Sequence, residues 1–344
     1  MFIKSIKNII MLSMQVFADL NTNVTTDGGL SAENKTFYDR ALLEEAKPNL
    51  VHDQFGQKRP IPKNGGKKIE FRKYASFPKA LTPLTEGVTP DGRKLNVTAI
   101  EAQVNQYGDF VCLSDVLDLT AIDNNVLEAT KAIGNQAGLT LDTITRNVLQ
   151  SGTNVWYAPS HSASGAEVEV LDRDSLDETA TLTVDIVKKV AAQLKSVNAP
   201  KINGDYVAII HPYVAYDLMS DPAWEDMHKY CTPENQYAGE IGRIAGVRFV
   251  ETSEAKIYTE DNCPDGLAVF GCLFFGQNAY GVTEITGGGL QTIIKQLGSA
   301  GTADPLDQRS TVGWKAIKTA EILMQAYMIR VECCSKFSKT AEAN

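Results

Sequence analysis

The sequence has few cysteines and no cysteine motif. Six cysteines occur in 344 residues, none forms a Cys-x-x-Cys pair, and Cys333 and Cys334 are adjacent. Structural zinc sites and small disulfide-bonded scaffolds both depend on characteristic cysteine spacings. We therefore predict reduced and mostly buried thiols, which argues against an exported protein.

Long apolar runs and a basic surplus are also missing. No stretch approaches the roughly 20 consecutive apolar residues of a membrane span. The 42 acidic residues outnumber the 33 basic ones, for a net charge of −9, whereas a dedicated nucleic-acid binder usually carries a basic surplus. This net charge is still compatible with a protein that encloses nucleic acid without binding it tightly.

The usual signatures of catalysis and metal binding are absent from the sequence. The segment GEIGRIAG at 239–246 is not a dinucleotide-binding fingerprint, and no phosphate-binding loop occurs. Ser162 stands where a Gly-x-Ser-x-Gly elbow around Ser164 would need glycine. Five potential metal ligands match no tight zinc spacing: His211, His228, Cys231, Cys263 and Cys272. We predict no catalytic, cofactor-binding or metal site.

The opening MFIKSIKNIIMLSMQVFADL has the pattern of a secretory signal peptide. Two lysines precede a short apolar run, and Ala18 stands before Asp19. Export conflicts with the unpaired cysteines, so we interpret the run as an apolar anchor for a neighbouring subunit. Met1 and Met14 are both consistent with the start of the working protein.

An extended arm and a long hairpin follow. Residues 20–66 are polar and rich in turn formers, apart from a helix predicted over Ser31–Ala46. KKIEFRKYASF at 67–77 then alternates as a strand, and LNVTAIEAQVNQYGDF at 95–110 is the returning strand. The apolar phase of the second strand switches between Ala99 and Ile100, which predicts a bulge or bend there.

This hairpin lacks a core of its own. A two-stranded ribbon is marginally stable in water, so it must lie on something else. No neighbouring stretch of sequence is an obvious cover, which points to another subunit.

The rest of the chain predicts a mixed α+β body. A helix is predicted over 115–151, and a second runs from an N-cap at Thr183 to Leu194. A buried strand is predicted at 206–210 and another strand at 246–250. The C-terminal region after residue 304 is predicted to be mainly strand, and we expect it to pack on the first helix. Its densest polar cluster is a solvated turn or a subunit-contact patch, formed by Asp304, Asp307, Arg309, Trp314 and Lys315.

The sequence also resembles a known family, the N-four-like major capsid proteins of tailed bacteriophages. The resemblance covers about residues 14–333. It is carried by five segments: MQVFADLNTN at 14–23, LTEGVTPDGRKLN at 84–96, GRIAGVRFVET at 242–252, FGQNAYGVTEI at 275–285 and DPLDQRSTVGWKAIKTAEIL at 304–323.

The resemblance implies the Hong Kong 97-type fold, an α+β fold. Its parts fall on this chain as follows: an N-terminal arm at 1–60, an extended hairpin loop at 61–110, a peripheral domain with a spine helix at 111–199, an axial domain at 200–303, and a return to the peripheral domain with a C-terminal tail at 304–344.

The resemblance also implies a function. The chain would be a structural protein, not an enzyme, that assembles in the host cytoplasm into hexamers and pentamers of the virion capsid around double-stranded DNA. Its partners would be neighbouring subunits, scaffolding, portal and decoration proteins, and DNA bound without sequence specificity, with no membrane. The contact candidates are Phe71, Phe77, Glu86, Arg93, Lys94, Asp307, Arg309 and Trp314.

Two alternatives stay open at the level of sequence. A bacterial nanocompartment shell would share the fold but enclose cargo protein. A secreted surface protein is favoured only by the opening residues.

Overall fold

The computed structural model describes residues 42, 46, 50–60, 67–74, 77–89, 91–120, 125–162, 164–224, 242–259, 262–284, 290–299 and 304–344. The opening twenty residues, His228 and Cys231 lie outside them. The helix predicted over Ser31–Ala46 also lies outside, except that Leu42 and Ala46 are helical and buried.

Seventeen strands and four α-helices are found in these residues. The strands are β1 Gln57–Arg59, β2 Lys68–Tyr74, β3 Val97–Gln103, β4 Asn105–Ser114, β5 Val155–Tyr157, β6 Ser160–His161, β7 Glu167–Val168, β8 Tyr206–Ile210, β9 Arg243–Ile244, β10 Val247–Glu251, β11 Ile257–Tyr258, β12 Val269–Phe275, β13 Tyr280–Thr283, β14 Leu290–Lys295, β15 Arg309–Lys318, β16 Ala320–Ile322 and β17 Met328–Cys333. The helices are α1 Asp115–Thr120, α2 Asn125–Gln150, α3 Val184–Ser196 and α4 Pro212–Met219.

The largest sheet holds seven of these strands. Its order is β5-β17-β12-β8-β10-β9, with β11 beside β12. Every residue of β8 and β12 is buried, as expected for apolar runs covered on both faces. Helices α3 and α4 contribute Val187, Leu194 and Val214 to the same core cluster, so the buried strand predicted at 206–210 and the helix after Thr183 are confirmed.

The caps of these two helices differ in how well the sequence predicted them. Thr183 is the N-cap of α3, but its side chain makes no capping bond. The carboxylate of Asp221 instead accepts from the backbone N–H of Val184 at 2.9 Å. At the start of α4, Nδ1 of His211 accepts from the backbone N–H of Tyr213 at 3.2 Å. His211, one of the five potential metal ligands of the sequence analysis, therefore caps a helix.

A second, three-stranded sheet has the order β14-β15-β4 and packs on α2. The helix predicted over 115–151 is thus present as α1 and α2. One stripe of α2, including Ala137 and Leu141, meets Val312 and Trp314 of β15 in one buried cluster. The predicted return of the C-terminal region onto this helix is confirmed.

Two strand pairings cross the segments into which the sequence analysis divides the chain, and the predicted domain boundaries stay a prediction. Strand β17, in the region assigned to the peripheral domain, pairs with β12 of the largest sheet. Strand β14, assigned to the axial domain, pairs with β15 instead. Strand pairing joins residues far apart in sequence, so a division into consecutive segments missed both exchanges.

The hairpin is shorter and more regular than predicted. Strands β2 and β3 pair without interruption from Lys68 opposite Gln103 to Tyr74 opposite Val97. The bulge predicted between Ala99 and Ile100 is therefore wrong. The interruption lies instead at Val104, between β3 and β4. Strand β4 then leaves the ribbon and pairs with β15.

The end of the predicted N-terminal arm belongs to the body. Strand β1 pairs in parallel with β13, in a sheet of order β1-β13-β16. Just before it, His52 and Asp53 are buried. Within the predicted arm of residues 1–60, these residues therefore pack on the subunit itself, through β13 and the side chains of α2.

The cysteines behave as predicted within the described residues. All five described ones are free, and Cys263, Cys272, Cys333 and Cys334 are buried while Cys112 is exposed. Among the described helices, none is long and apolar enough to cross a membrane.

Candidate assembly surfaces

The base of the hairpin is covered by the subunit itself. Ile69, Phe71 and Ala102 are buried with Leu323 in one small cluster. The ring of Phe71 lies so close to β13 that a Cβ added at Gly281 would be 2.4 Å from it. The ribbon does lie on something, as predicted, but the cover of its base is the same subunit and not another one, to which the sequence pointed.

The distal part of the hairpin has no such cover. Its large apolar side chains are exposed to the following extents: Phe77 55%, Leu81 82%, Leu84 77%, Val88 61%, Leu95 58% and Val97 47%. A concentration of exposed large apolar side chains in one segment favours an interaction site.

The phase switch in β3 now has an explanation. Ile100 and Ala102 pack against the body, whereas Val97 is largely exposed. Both faces of β3 carry apolar residues for this reason. Near the base the apolar residues pack against the body, whereas nearer the tip Val97 is exposed.

The tip of the hairpin is an ordered turn. The backbone N–H of Val88 donates to the carbonyl oxygen of Thr85 at 3.2 Å, and Gly87 has a φ of +77°. That conformation suits glycine at the third position of a type II turn. Farther back, the guanidinium of Arg93 donates to the carbonyl oxygen of Pro78 at 3.4 Å and joins the two arms of the loop.

A buried polar network, the arm-root network, ties residues 52–53 to α2 and β15. Its members are His52, Asp53, Asp142, Thr145 and Lys318, all of them buried. Asp142 accepts from the backbone N–H of His52 at 2.7 Å and contacts Nδ1 of its ring at 2.6 Å.

Asp53 forms the second half of the arm-root network. Its carboxylate accepts from the hydroxyl of Thr145 at 2.6 Å and forms an ion pair with Lys318. Burial lowers the pKa of Lys318, and Asp53 partly offsets that effect. Tyr280 adds one more hydrogen bond to the arm-root network: its hydroxyl donates to the carbonyl oxygen of His52 at 2.5 Å.

The predicted contact candidates divide into two sets. Phe77, Glu86, Arg93 and Lys94 lie on the exposed distal hairpin. Asp307 lies in an exposed turn that leads into β15, and Arg309 is the exposed first residue of that strand. At that turn Asp304 accepts from the backbone N–H of Arg309 at 2.8 Å, and their side chains are 3.7 Å apart.

Phe71 and Trp314 must be removed from the candidates. Phe71 is 0% exposed and Trp314 4% exposed. Trp314 packs on α2, where its indole N–H donates to Gln136 at 3.3 Å. Both side chains complete the subunit's own core and offer no surface to a neighbour.

Two features escaped the sequence reasoning. The arm-root network joins residues about ninety or more positions apart, such as Asp53 and Lys318, and no local pattern signals such a pairing. The outer face of the sheet β14-β15-β4 was also missed. There an open groove of about 470 Å³ is lined by Phe110, Ile293, Gly313 and other residues of the three strands.

The described residues offer no convergent site for metal chemistry. No group of three or more His, Cys, Asp or Glu side chains in them could hold an ion. Burial lowers the pKa of His211 to about 4, which keeps the capping imidazole neutral. Burial also raises the pKa of Cys334 to about 12, which keeps its thiol protonated.

Comparisons with known proteins agree with this picture of a structural subunit. The family model described as phage capsid protein matches residues 97–320. No curated protein matches the chain in sequence.

Solved capsid structures share the fold at low sequence identity. The capsid of cyanophage Pam1 superposes with a TM-score of 0.62 at 12% identity, covering 86% of this chain and 93% of that one. The capsid of cyanophage P-SCSP1u gives 0.60 at 13%, covering 84% and 87%. The capsid of Ralstonia phage GP4 gives 0.59 at 14%, covering 83% and 86%.

The fold is therefore the Hong Kong 97 type predicted from the sequence. Since the family model spans well over half of the chain, the chain belongs to the phage capsid protein family and is a major capsid protein of the virion shell.

Proposed function

We propose that this subunit assembles into the hexamers and pentamers of an icosahedral shell, with its distal hairpin lying across an adjacent subunit. The observation that carries the proposal is the contrast within one ribbon, between buried Phe71 and exposed Leu81 and Leu84. Burying a large apolar side chain contributes about 1.5–3 kcal/mol. Burial of the six such residues on the distal hairpin would therefore favour association of one subunit with another.

Charged residues at these surfaces set the register between subunits. Glu86, Arg93, Lys94, Asp307 and Arg309 are all exposed, and exposed charges contribute more to orientation and specificity than to affinity. The largest sheet would then form the axial part of each ring, and the sheet β14-β15-β4 with α2 the peripheral part.

The shell encloses double-stranded phage DNA without reading its sequence. The net charge of −9 supports enclosure rather than tight binding, because strong phosphate contacts need a basic surface. Scaffolding, portal and decoration proteins are further partners in this proposal, and assembly takes place in the host cytoplasm.

We also propose membership of the N-four-like group. The support is the ordered set of short segments at 14–23, 84–96, 242–252, 275–285 and 304–323. A high-resolution shell map would test this by comparing its lattice and hairpin path with those of that group.

Electron microscopy of the purified protein tests the proposed assembly. We expect closed icosahedral particles, and nuclease-protected DNA in particles taken from infected cells. Only monomers or small oligomers under all conditions would contradict shell formation. Particles filled with cargo protein instead of DNA would favour a nanocompartment.

A further inference from the structure

A lysine of the arm-root network contacts a carboxyl group away from bulk water. Nζ of Lys318 meets Oδ2 of Asp53, and the two side chains are 0% and 7% exposed. Lys318 is the only buried lysine among the described residues. An amine and a carboxyl group are the reactants of an amide bond, so this contact brings together the two halves of a covalent link within the subunit.

The fold holds both reactants in place. Lys318 ends β15, where it pairs with Asn105 of β4. The hydroxyl of Thr145, on α2, donates to Oδ1 of Asp53 at 2.6 Å. The two oxygens of the carboxyl group therefore differ, because Oδ1 is held by a hydrogen-bond donor and Oδ2 faces the amine. A fixed contact of this kind replaces the chance encounter that slows the same reaction in water.

Burial favours the uncharged and reactive form of this pair. Burial is the main influence on the pKa of Lys318 and lowers it, although Asp53 and Asp142 act in the opposite direction. Transfer of the proton from the amine to Asp53 leaves a neutral amine and a neutral carboxylic acid, which avoid the cost of keeping two charges away from water. The neutral amine has the lone pair that attack on a carbonyl carbon requires.

A second carboxylate of the arm-root network is paired with an imidazole. Asp142 accepts from the backbone N–H of His52 at 2.7 Å, and its other oxygen lies 2.6 Å from Nδ1 of the ring. Both side chains are fully buried, and Asp142 is near enough to Lys318 to influence its pKa. A carboxylate and an imidazole in contact can accept and return a proton, so the network contains a group that can assist the proton transfers of amide formation.

We propose that the amine of Lys318 and the carboxyl group of Asp53 condense into an amide bond within the subunit. The lone pair of Nζ forms a bond to Cγ of Asp53, and the hydroxyl of Thr145 stabilises the negative charge that develops on Oδ1. The bond between Cγ and Oδ2 then breaks. Oδ2 leaves as water with two protons, the proton of the carboxylic acid and one from Nζ, so no co-reactant is needed. The reaction occurs once in each chain, and the ion pair in the structure is the state that precedes it.

The bond would be a covalent anchor at the root of the predicted N-terminal arm. It joins positions 265 residues apart and ties the chain just before β1 to the end of β15. Cross-links that close long loops restrict the unfolded chain most. Linked subunits should therefore resist chemical denaturants better than unlinked ones.

Other lysine–carboxylate pairs of the chain lack these conditions and serve as internal controls. The side chains of Lys68 and Glu101, and those of Lys339 and Glu178, are more than half exposed. Water stabilises the charged forms of such pairs, so their amines should stay protonated and unlinked.

Mass spectrometry of the purified full chain tests the proposal. Folded subunits are incubated at neutral pH and denatured, their intact mass is measured, and they are digested with trypsin. We expect most chains to be lighter than the sequence by the mass of one water molecule. Trypsin should fail to cut after Lys318, and the peptide that contains Lys318 should be joined to the peptide that contains Asp53.

Two variants identify the reacting groups. Lys318→Arg is the matched control, because a guanidinium keeps the positive charge but stays protonated and cannot attack the carboxyl group. This variant should have its full sequence mass and no joined peptide. Thr145→Val removes the hydroxyl that contacts Oδ1 and should form the link roughly tenfold or more slowly.

Three results would overturn the proposal. The first is a folded wild-type protein that keeps its full sequence mass and gives separate peptides. The second is loss of water without the joined peptide, since ring closure at Asp91-Gly92 also releases one water. The third is a loss of water that persists in Lys318→Arg. Both reacting groups belong to one chain, so each of these results leaves the proposed shell function standing, and failure to form shells would leave the amide bond standing.

Discussion

The two halves of the hairpin differ in what covers them. At the base, Phe71 packs against Gly281 of the same subunit and is fully buried. Toward the tip, Phe77 is 55% exposed and Leu81 82% exposed. The base therefore contributes to the stability of the subunit, whereas we propose that the distal half contacts another molecule.

Phe71→Ala should produce the largest effect, since it removes the ring that fixes the base. Large-to-small substitutions of buried phenylalanine cost about 3–5 kcal/mol. We expect a loss of that size in the free energy of unfolding of the unassembled subunit, measured by chemical denaturation.

Phe77→Ala is the matched control for that comparison. An exposed substitution usually changes stability by less than about 0.5 kcal/mol, so the subunit should stay folded while shell yield falls. Equal destabilisation by both substitutions would contradict the division into base and distal half.

Asp53→Ala should have a similarly large effect on the body and none on the hairpin tip. It leaves Lys318 buried without its carboxylate partner, and breaking a buried ion pair costs about 3–5 kcal/mol. The double variant Asp53→Leu, Lys318→Met should recover much of the stability. If the double variant is no more stable than Asp53→Ala, the ion pair is not the source of the loss.

Acid should weaken the body through His211. Its pKa is about 6.5 when unfolded and about 4 in the folded subunit, because of burial. The unfolded chain thus binds a proton first, so the contribution of His211 to stability is present above pH 6.5 and is lost as the pH falls toward 4.

The expected slope is on the order of 1 kcal/mol per pH unit in that window. Thermal unfolding of the wild type and of His211→Asn, which keeps a capping side chain, isolates it. An unchanged slope in the variant would exclude His211 as the cause.

The smallest effect concerns salt. Contacts between exposed charges contribute about 0.2–1 kcal/mol and are screened by ions. Raising the salt concentration should slow assembly slightly, and Glu86→Gln should reduce that sensitivity. Light scattering during assembly measures both, and identical salt dependence in the two proteins would remove Glu86 from the contact.

The sequence predicted the elements that have a strong local pattern. The alternation in residues 67–77 predicted a strand, and a helix was predicted over 115–151, as found. Periodicity reports which face of an element is apolar but not what covers it. For this reason the sequence analysis assigned Phe71 to an interface. In the structure its ring packs against Gly281, which lies far along the same chain.

The same reasoning explains the missed site features. The replacement of Thr183 by Asp221 as the capping acceptor depends on a neighbour that only the fold supplies. The groove on the sheet β14-β15-β4 was missed because its strands come from three separate parts of the chain, and only the fold brings them together.

Hydrogen exchange of free subunits and assembled shells tests the central claim most directly. The account predicts that amides of residues 77–96 exchange rapidly in the free subunit and become strongly protected in the shell. The paired base, 68–74 and 97–103, should be protected in both. Equally rapid exchange of residues 77–96 in intact shells would contradict the claim that the distal hairpin is an assembly contact.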